Sequence, residues 1–188
     1  PSSSSNDVTI SYDGNQRVSS VAIPGRTTTY AWSLSGSVLT SVATDSLGTV
    51  RTTTANTTSK VILSHKDGLN RTTSYSYDTY GRLQQVTFPE GNKVSHTYDT
   101  RGNITETRRI AKSGSGLADL ITTAGYDATC SNPVKCNPPN WTKDANGNQT
   151  DYTYNATTGL LTSVTLPKPQ PTSPNPKVPH GYSALYAW

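Results

Sequence analysis

Three histidines, twelve acidic side chains and two cysteines are the residues of this chain best suited to proton transfer, nucleophilic attack or metal binding. His65, His96 and His180 lie far apart, and none has a nucleophile motif beside it. The chain holds 31 Thr and 23 Ser, so no single hydroxyl stands out as activated. Asp78 and Asp99 occupy equivalent places in a repeated segment, and neighbouring turns can in principle bring two such carboxylates together. A carboxylate just before a glycine turn, however, more often closes that turn by accepting backbone N–H groups. His96 replaces an apolar residue in an alternating series, which suits a packed or hydrogen-bonded ring better than a base. The expectation is therefore no enzyme, no cofactor and no metal.

Cys130 and Cys136 enclose Ser131-Asn132-Pro133-Val134-Lys135. That spacing fits neither a zinc pattern nor a Cys-x-x-Cys redox pair. A local disulfide pinning a Pro-containing loop is the expected role, stabilising by about 2 kcal/mol. A disulfide would imply an oxidising, extracellular setting, while reduced cysteines remain the alternative.

The elements that hold these residues are announced by a repeat. Tyr77-Asp78-Thr79-Tyr80-Gly81-Arg82-Leu83 returns 21 residues later as Tyr98-Asp99-Thr100-Arg101-Gly102-Asn103-Ile104. Weaker copies read Tyr12-Asp13-Gly14-Asn15-Gln16-Arg17-Val18, with a shortened turn, then Asp45–Gly48 and Asp144–Gly147 without the Tyr. In Tyr154-Asn155, Asn stands for Asp and one residue is added before Gly159. Asp after a strand closes an Asx turn, and Gly supplies a φ > 0 position. The incoming strands alternate: Thr73, Tyr75 and Tyr77 face one way, Thr72, Ser74 and Ser76 the other. Val94, His96 and Tyr98 repeat the device, as do Tyr152 and Tyr154. A second turn type, Lys66–Asn70 and Pro89–Asn92, alternates with the first. One repeat is then two strands and two turns, and such units need their neighbours to bury a face.

Composition agrees with β structure. Thr and Tyr suit strands, whereas Ser and Gly weaken helices. Hydrophobic residues make up only 31% of the chain, but eleven Tyr and three Trp argue against disorder and for a thin sheet with polar outer faces. Residues 1–7 form a Ser-rich segment, 8–166 the hairpin array, 167–179 a Pro-rich connection and 180–188 a returning strand with Tyr182, Tyr186 and Trp188. Leu117–Tyr126 reads as strand or short helix. The net charge of +4 is dispersed, with Arg108-Arg109 the only adjacent pair. That is not the basic stripe of a nucleic-acid binder. No apolar run is long enough to span a membrane. Six Asn-x-Ser/Thr sequons, from Asn56 to Asn155, arise by chance in a Thr-rich chain. With Pro first, no Met and no leftover signal peptide, the chain is expected to be an excised or processed piece.

Tyr-Asp-x-x-Gly-Arg-Leu followed by a second Tyr-Asp resembles the YD repeat of the Rhs family, over most of 8–167. The structural repeat positions are Tyr12, Asp13, Tyr77, Asp78, Gly81, Arg82, Tyr98, Asp99, Gly102, Asn103, Asp144, Gly147, Tyr154 and Gly159. The resemblance implies an all-β fold of consecutive antiparallel hairpins in one extended, curved sheet, a fragment of a spiral shell or a stacking unit. It also implies a bacterial extracellular or cell-surface scaffold, of the kind that encloses toxic domains and is related to toxin-complex shells and teneurins. Expected partners are flanking repeats of a larger protein, or further copies paired head to tail at open edges. The alternative is a carbohydrate-binding module using exposed Tyr and Trp, with Trp32 and Trp141 the residues to test.

Overall fold

The computed structural model describes residues 8–167. The expected Ser-rich start, most of the Pro-rich connection and the strand over 180–188 lie outside them. Fourteen strands follow one another: β1 (Thr9–Tyr12), β2 (Val18–Ile23), β3 (Arg26–Ser35), β4 (Val38–Asp45), β5 (Val50–Asn56), β6 (Val61–Lys66) and β7 (Thr72–Tyr77). Then come β8 (Leu83–Thr87), β9 (Lys93–Tyr98), β10 (Ile104–Ile110), β11 (Leu120–Gly125), β12 (Trp141–Lys143), β13 (Gln149–Tyr154) and β14 (Leu161–Thr165). They form one open, uncurled sheet in strict chain order, every neighbour antiparallel, with β1 and β14 as its edges. Among the described residues the one helical piece is a short 3₁₀ turn, Pro133–Lys135. Leu117–Tyr126 resolves to strand, β11.

Short local connections dictate this order, because a tight turn returns the chain antiparallel beside the strand just made. Directly paired residues share a sheet face, so the register sorts the two faces. One carries aromatic and aliphatic side chains, as in the row Tyr75–Val86–Val94–Arg109–Leu120 and the pairs Tyr98–Ile104 and Tyr154–Leu161. The other is a hydroxyl face, with Ser33, Thr40, Thr54, Ser64, Ser74 and Thr87 forming one row across six strands. On β7 the tyrosine face is half-buried and the hydroxyl face exposed.

No second layer covers either face. Among the described residues no side chain is fully buried, and only Cys136 and Asp45 fall in the buried class. The sheet is thus held by backbone ladders and by bonds between neighbouring hairpins, without an interior. Five hairpins carry a one-residue bulge near the turn: Tyr77 faces Leu83 while Ser76 faces Gln85, leaving Gln84 extra. The same shift occurs beside Tyr12, Ala55, Tyr98 and Tyr154. Bulges increase local twist and fix register.

Candidate functional site

The repeated unit builds its turn from backbone outward. At Asp78, its N–H donates to the Arg82 carbonyl (2.9 Å) and the Gly81 N–H returns to the Asp78 carbonyl (3.0 Å). Asp78 Oδ1 accepts the Tyr80 and Arg82 N–H groups, each at 2.9 Å, and Oδ2 takes Arg82 Nε at 2.6 Å. Gly81 sits at φ 78°, left-handed backbone that a side chain resists. Asp99 with Asn103, and Asp144 with Asn148, repeat every one of these bonds.

Two sequence expectations about turns are corrected here. The Asp13 turn is not shortened: Asp13 and Arg17 bond as Asp78 and Arg82 do, with Gln16 at φ 61° in the glycine place. Nor do the turns after Lys66 and before Lys93 form a second type. Asp67 and Arg71 make the same turn with Asn70 at φ 62°, and Phe88–Asn92 reproduces its backbone bonds with Gly91 at φ 92° but no carboxylate. Counting glycines hid the identity, because Gln and Asn also stand at the left-handed position. Asp45 closes the same turn, its Oδ1 accepting the Leu47 and Thr49 N–H groups at 3.0 and 2.9 Å, but Thr49 stands where other turns have Arg or Asn, and Oδ2 lies 3.8 Å from Arg51. The Asn155 turn is one residue longer, with Gly159 at φ 70°.

These bonds set the titration of the turns. Backbone N–H donors are the main cause that holds Asp13, Asp45 and Asp67 below the usual carboxylate value. At Asp78 and Asp99 partial burial is the largest influence and pushes upward. The combined hydrogen bonds, led by Arg82 at Asp78 and by Asn103 at Asp99, outweigh it and leave both lowered. Donation from Asn148 lowers Asp144. Each carboxylate is engaged within its own turn, so Asp78 and Asp99 do not act as a proton-sharing pair.

Successive repeats lock together through residues that face sideways. Tyr98 Oη donates to the Leu83 carbonyl at 2.6 Å, reaching from the end of β9 to the start of the preceding β8. Tyr77 does the same to Ile62 (2.8 Å), Tyr126 to Ile104 (3.0 Å) and Tyr154 to Pro139 (2.9 Å). Burial raises the pKa of all four phenols, which keeps the donated proton in place. Arg82 closes the lock from the other side. Its Nη1 donates to the Asp99 carbonyl at 3.0 Å, and its guanidinium lies 4.5 Å from the Tyr98 ring centre and 4.9 Å from that of Tyr80. One arginine therefore pairs with its own turn and stacks on the next.

Sequence reasoning placed the tyrosines on one face but missed their hydroxyl bonds. It also missed Tyr126-Asp127, although the dipeptide was there to see. The cysteine loop replaces the turn that should follow it, and Asp127 accepts from Asn140 Nδ2 instead (2.7 Å). Cys130 and Cys136 are joined as a disulfide with their Cα atoms 5.0 Å apart. The loop rests on the β13–β14 turn: Asn132 Nδ2 donates to the Ala156 carbonyl, and a Cβ on Gly159 would overlap Val134.

His65 on β6 and His96 on β9 are not brought together. His65 and His96 each hydrogen-bond through Nδ1 to a cross-strand hydroxyl, Thr53 and Thr107, at 3.1 Å. His180 lies outside the described residues. Among those described, no three His, Cys, Asp or Glu gather as for a metal, and no helix is long and apolar enough to cross a membrane. What the arrangement does chemically is hold hairpins to one another.

Comparison with known proteins points the same way. The RHS Repeat family model matches residues 62–93 and 77–112. No curated protein matches the chain. Among solved structures, a chain from the crystal structure of TcdB2-TccC3-Cdc42 superposes with a TM-score of 0.60 at 16% identity, over 84% of this chain and 9% of that one. One from TcdB2-TccC3 without its hypervariable C-terminal region gives 0.45 at 14%, over 84% and 10%, and carries no weight here. This chain thus spans about a tenth of the lengths it matches, and at such identity the likeness speaks to fold alone. Residues 62–112, over β6–β10, therefore match RHS repeats, and the sheet that continues on either side of them shares the fold of that solved chain.

Proposed function

We propose that this chain is a non-catalytic structural module of a secreted or surface bacterial protein, a strip of β-sheet scaffold that continues through its open edges into flanking repeats. In that setting it forms wall of a larger, toxin-enclosing shell; copies joined edge to edge into an extracellular filament are the variant of the same idea. One observation carries the reading. The described sheet is a single layer with no fully buried side chain and with β1 and β14 as edges, yet Tyr77, Tyr98, Tyr126 and Tyr154 bond successive hairpins to one another. Such construction gains stability by adding neighbours, and unpaired edges favour strand addition. The disulfide supports an oxidising location. Light scattering and electron microscopy on the purified chain test the proposal. Elongated or edge-joined particles that grow with concentration are expected, and a monodisperse monomer across the micromolar range would count against it.

The carbohydrate-binding alternative has less behind it. Trp32 Nε1 donates to the Val18 carbonyl at 2.8 Å, with the Arg17 guanidinium 5.7 Å from its ring. Trp141 covers Gly125, whose added Cβ would overlap the indole. A glycan array answers the question: binding lost on replacing either Trp with Ala favours the alternative.

A further inference from the structure

We propose that the groove at the Phe88–Asn92 end of β8–β10 binds a small amphiphilic carboxylate, an acyl chain ending in one carboxyl group. The site arises where the array departs from its own rule. Every other Asp-type turn described above places a carboxylate at its first position; here Phe88 stands there, making the same backbone bonds to Asn92 and Gly91. That exchange removes a negative charge and supplies an apolar wall.

The next connection at this end, between β10 and β11, is a nine-residue loop, 111–119, in place of a tight turn. Asp119 holds it, with Oδ1 accepting the Ala111 N–H at 3.0 Å and Oδ2 lying 3.4 Å from Arg108 Nη1. A Cβ on Gly91 would lie 3.8 Å from Lys112 Cγ, so the loop leans over the Phe88 turn. Between them lies a groove of about 550 Å³, in the range of small-molecule sites.

Its lining is apolar with a cationic margin. Val94 and Leu120 belong to one row of the tyrosine face, with Arg109 between them. Leu120 and Leu117, both at the groove, are 55% and 75% exposed, an apolar surface that nothing in the described sheet covers. Arg109 and Lys112 line it beside a single carboxylate, Glu90, and Lys93, paired with Thr87 on the hydroxyl face, stands at its edge. None of the three makes an ion pair among the described residues, whereas Arg17, Arg71, Arg82 and Arg108 all do. Unpaired cations over an apolar floor fit a ligand with one negative end and a hydrocarbon body. This assignment stands apart from the scaffold role, since the groove exists in the isolated strip.

Calorimetric titration of the whole chain with laurate, lauryl alcohol and dodecyltrimethylammonium, each below its micelle concentration, tests it, with amide NMR shifts locating the site. Laurate is expected to bind about tenfold or more tighter than either analogue, shifting Val94 and Leu120. Arg109→Gln with Lys112→Gln should erase that preference while leaving alcohol binding unchanged. Phe88→Asp restores the turn residue used elsewhere and should weaken laurate about tenfold, with an unaltered circular dichroism spectrum. Equal binding of the three amphiphiles, shifts confined to other parts of the tyrosine face, or no saturable binding would overturn the assignment.

Discussion

Replacing Tyr98 by Phe isolates the lock between repeats, because it deletes one oxygen and keeps the ring. The guanidinium of Arg82, 4.5 Å from the ring centre, keeps its contact. What disappears is the 2.6 Å bond to the Leu83 carbonyl, leaving that acceptor without its phenol donor. The net cost of such a loss is about 1 kcal/mol, which in a domain of this size is roughly 2–4 °C of Tm. Urea unfolding should therefore show a lower midpoint at unchanged slope. Hydrogen exchange should accelerate first at the boundary of β8 and β9. Tyr80→Phe is the control: the residue is 82% exposed and its hydroxyl makes no hydrogen bond among the described residues, so it should stay within about 0.5 kcal/mol. Combining Tyr98→Phe with Arg82→Leu should give non-additive losses, because both residues bridge the same pair of turns. If Tyr98→Phe behaves like Tyr80→Phe, the phenol bond does not couple the repeats and the reasoning fails.

The turns, the titrating groups and the disulfide yield further expectations. Gly102→Ala, at φ 93°, should cost about 1–2 kcal/mol in urea melts, and Gln16→Gly should raise stability; a neutral result at both sites would remove the strain argument. The turn aspartates lie below the ordinary value of 3.8 when folded, so the unfolded chain binds more protons in acid. Their stabilisation is complete above that value and is lost as pH falls through the lowered folded values. Asp78→Asn with Asp99→Asn should flatten the acid limb of a urea-midpoint profile. Tyr77, Tyr98, Tyr126 and Tyr154 run the other way: folded values raised above 10.0 give stability that holds below that pH and fades as it rises further. A late step in ultraviolet phenolate absorbance, earlier in the unfolded chain, would show it. Reducing Cys130–Cys136 should cost about 2 kcal/mol by loop closure and free the β13–β14 turn, seen as faster exchange at Thr157 and Thr158.

Much of the architecture was legible from residues a few places apart. An Asx turn spans five residues and alternation needs only every second one, so Asp78, Gly81, Tyr75 and Tyr77 announce a hairpin without knowledge of what lies beside it. Adjacent hairpins joined by short links then have one economical arrangement, a sheet in chain order. The amino-acid sequence by itself determined that much, together with the sorting of tyrosines from hydroxyls. Left to the tertiary structure were the Tyr98 bond to a carbonyl 15 residues earlier, the double duty of Arg82, the seat of the cysteine loop on the Asn155 turn, and the groove behind Phe88. Each depends on register between strands, and a bulge of one residue such as Gln84 changes which groups meet. Local preferences act within a strand and its turn; which carbonyl a phenol reaches is decided only when the neighbouring strand is in place.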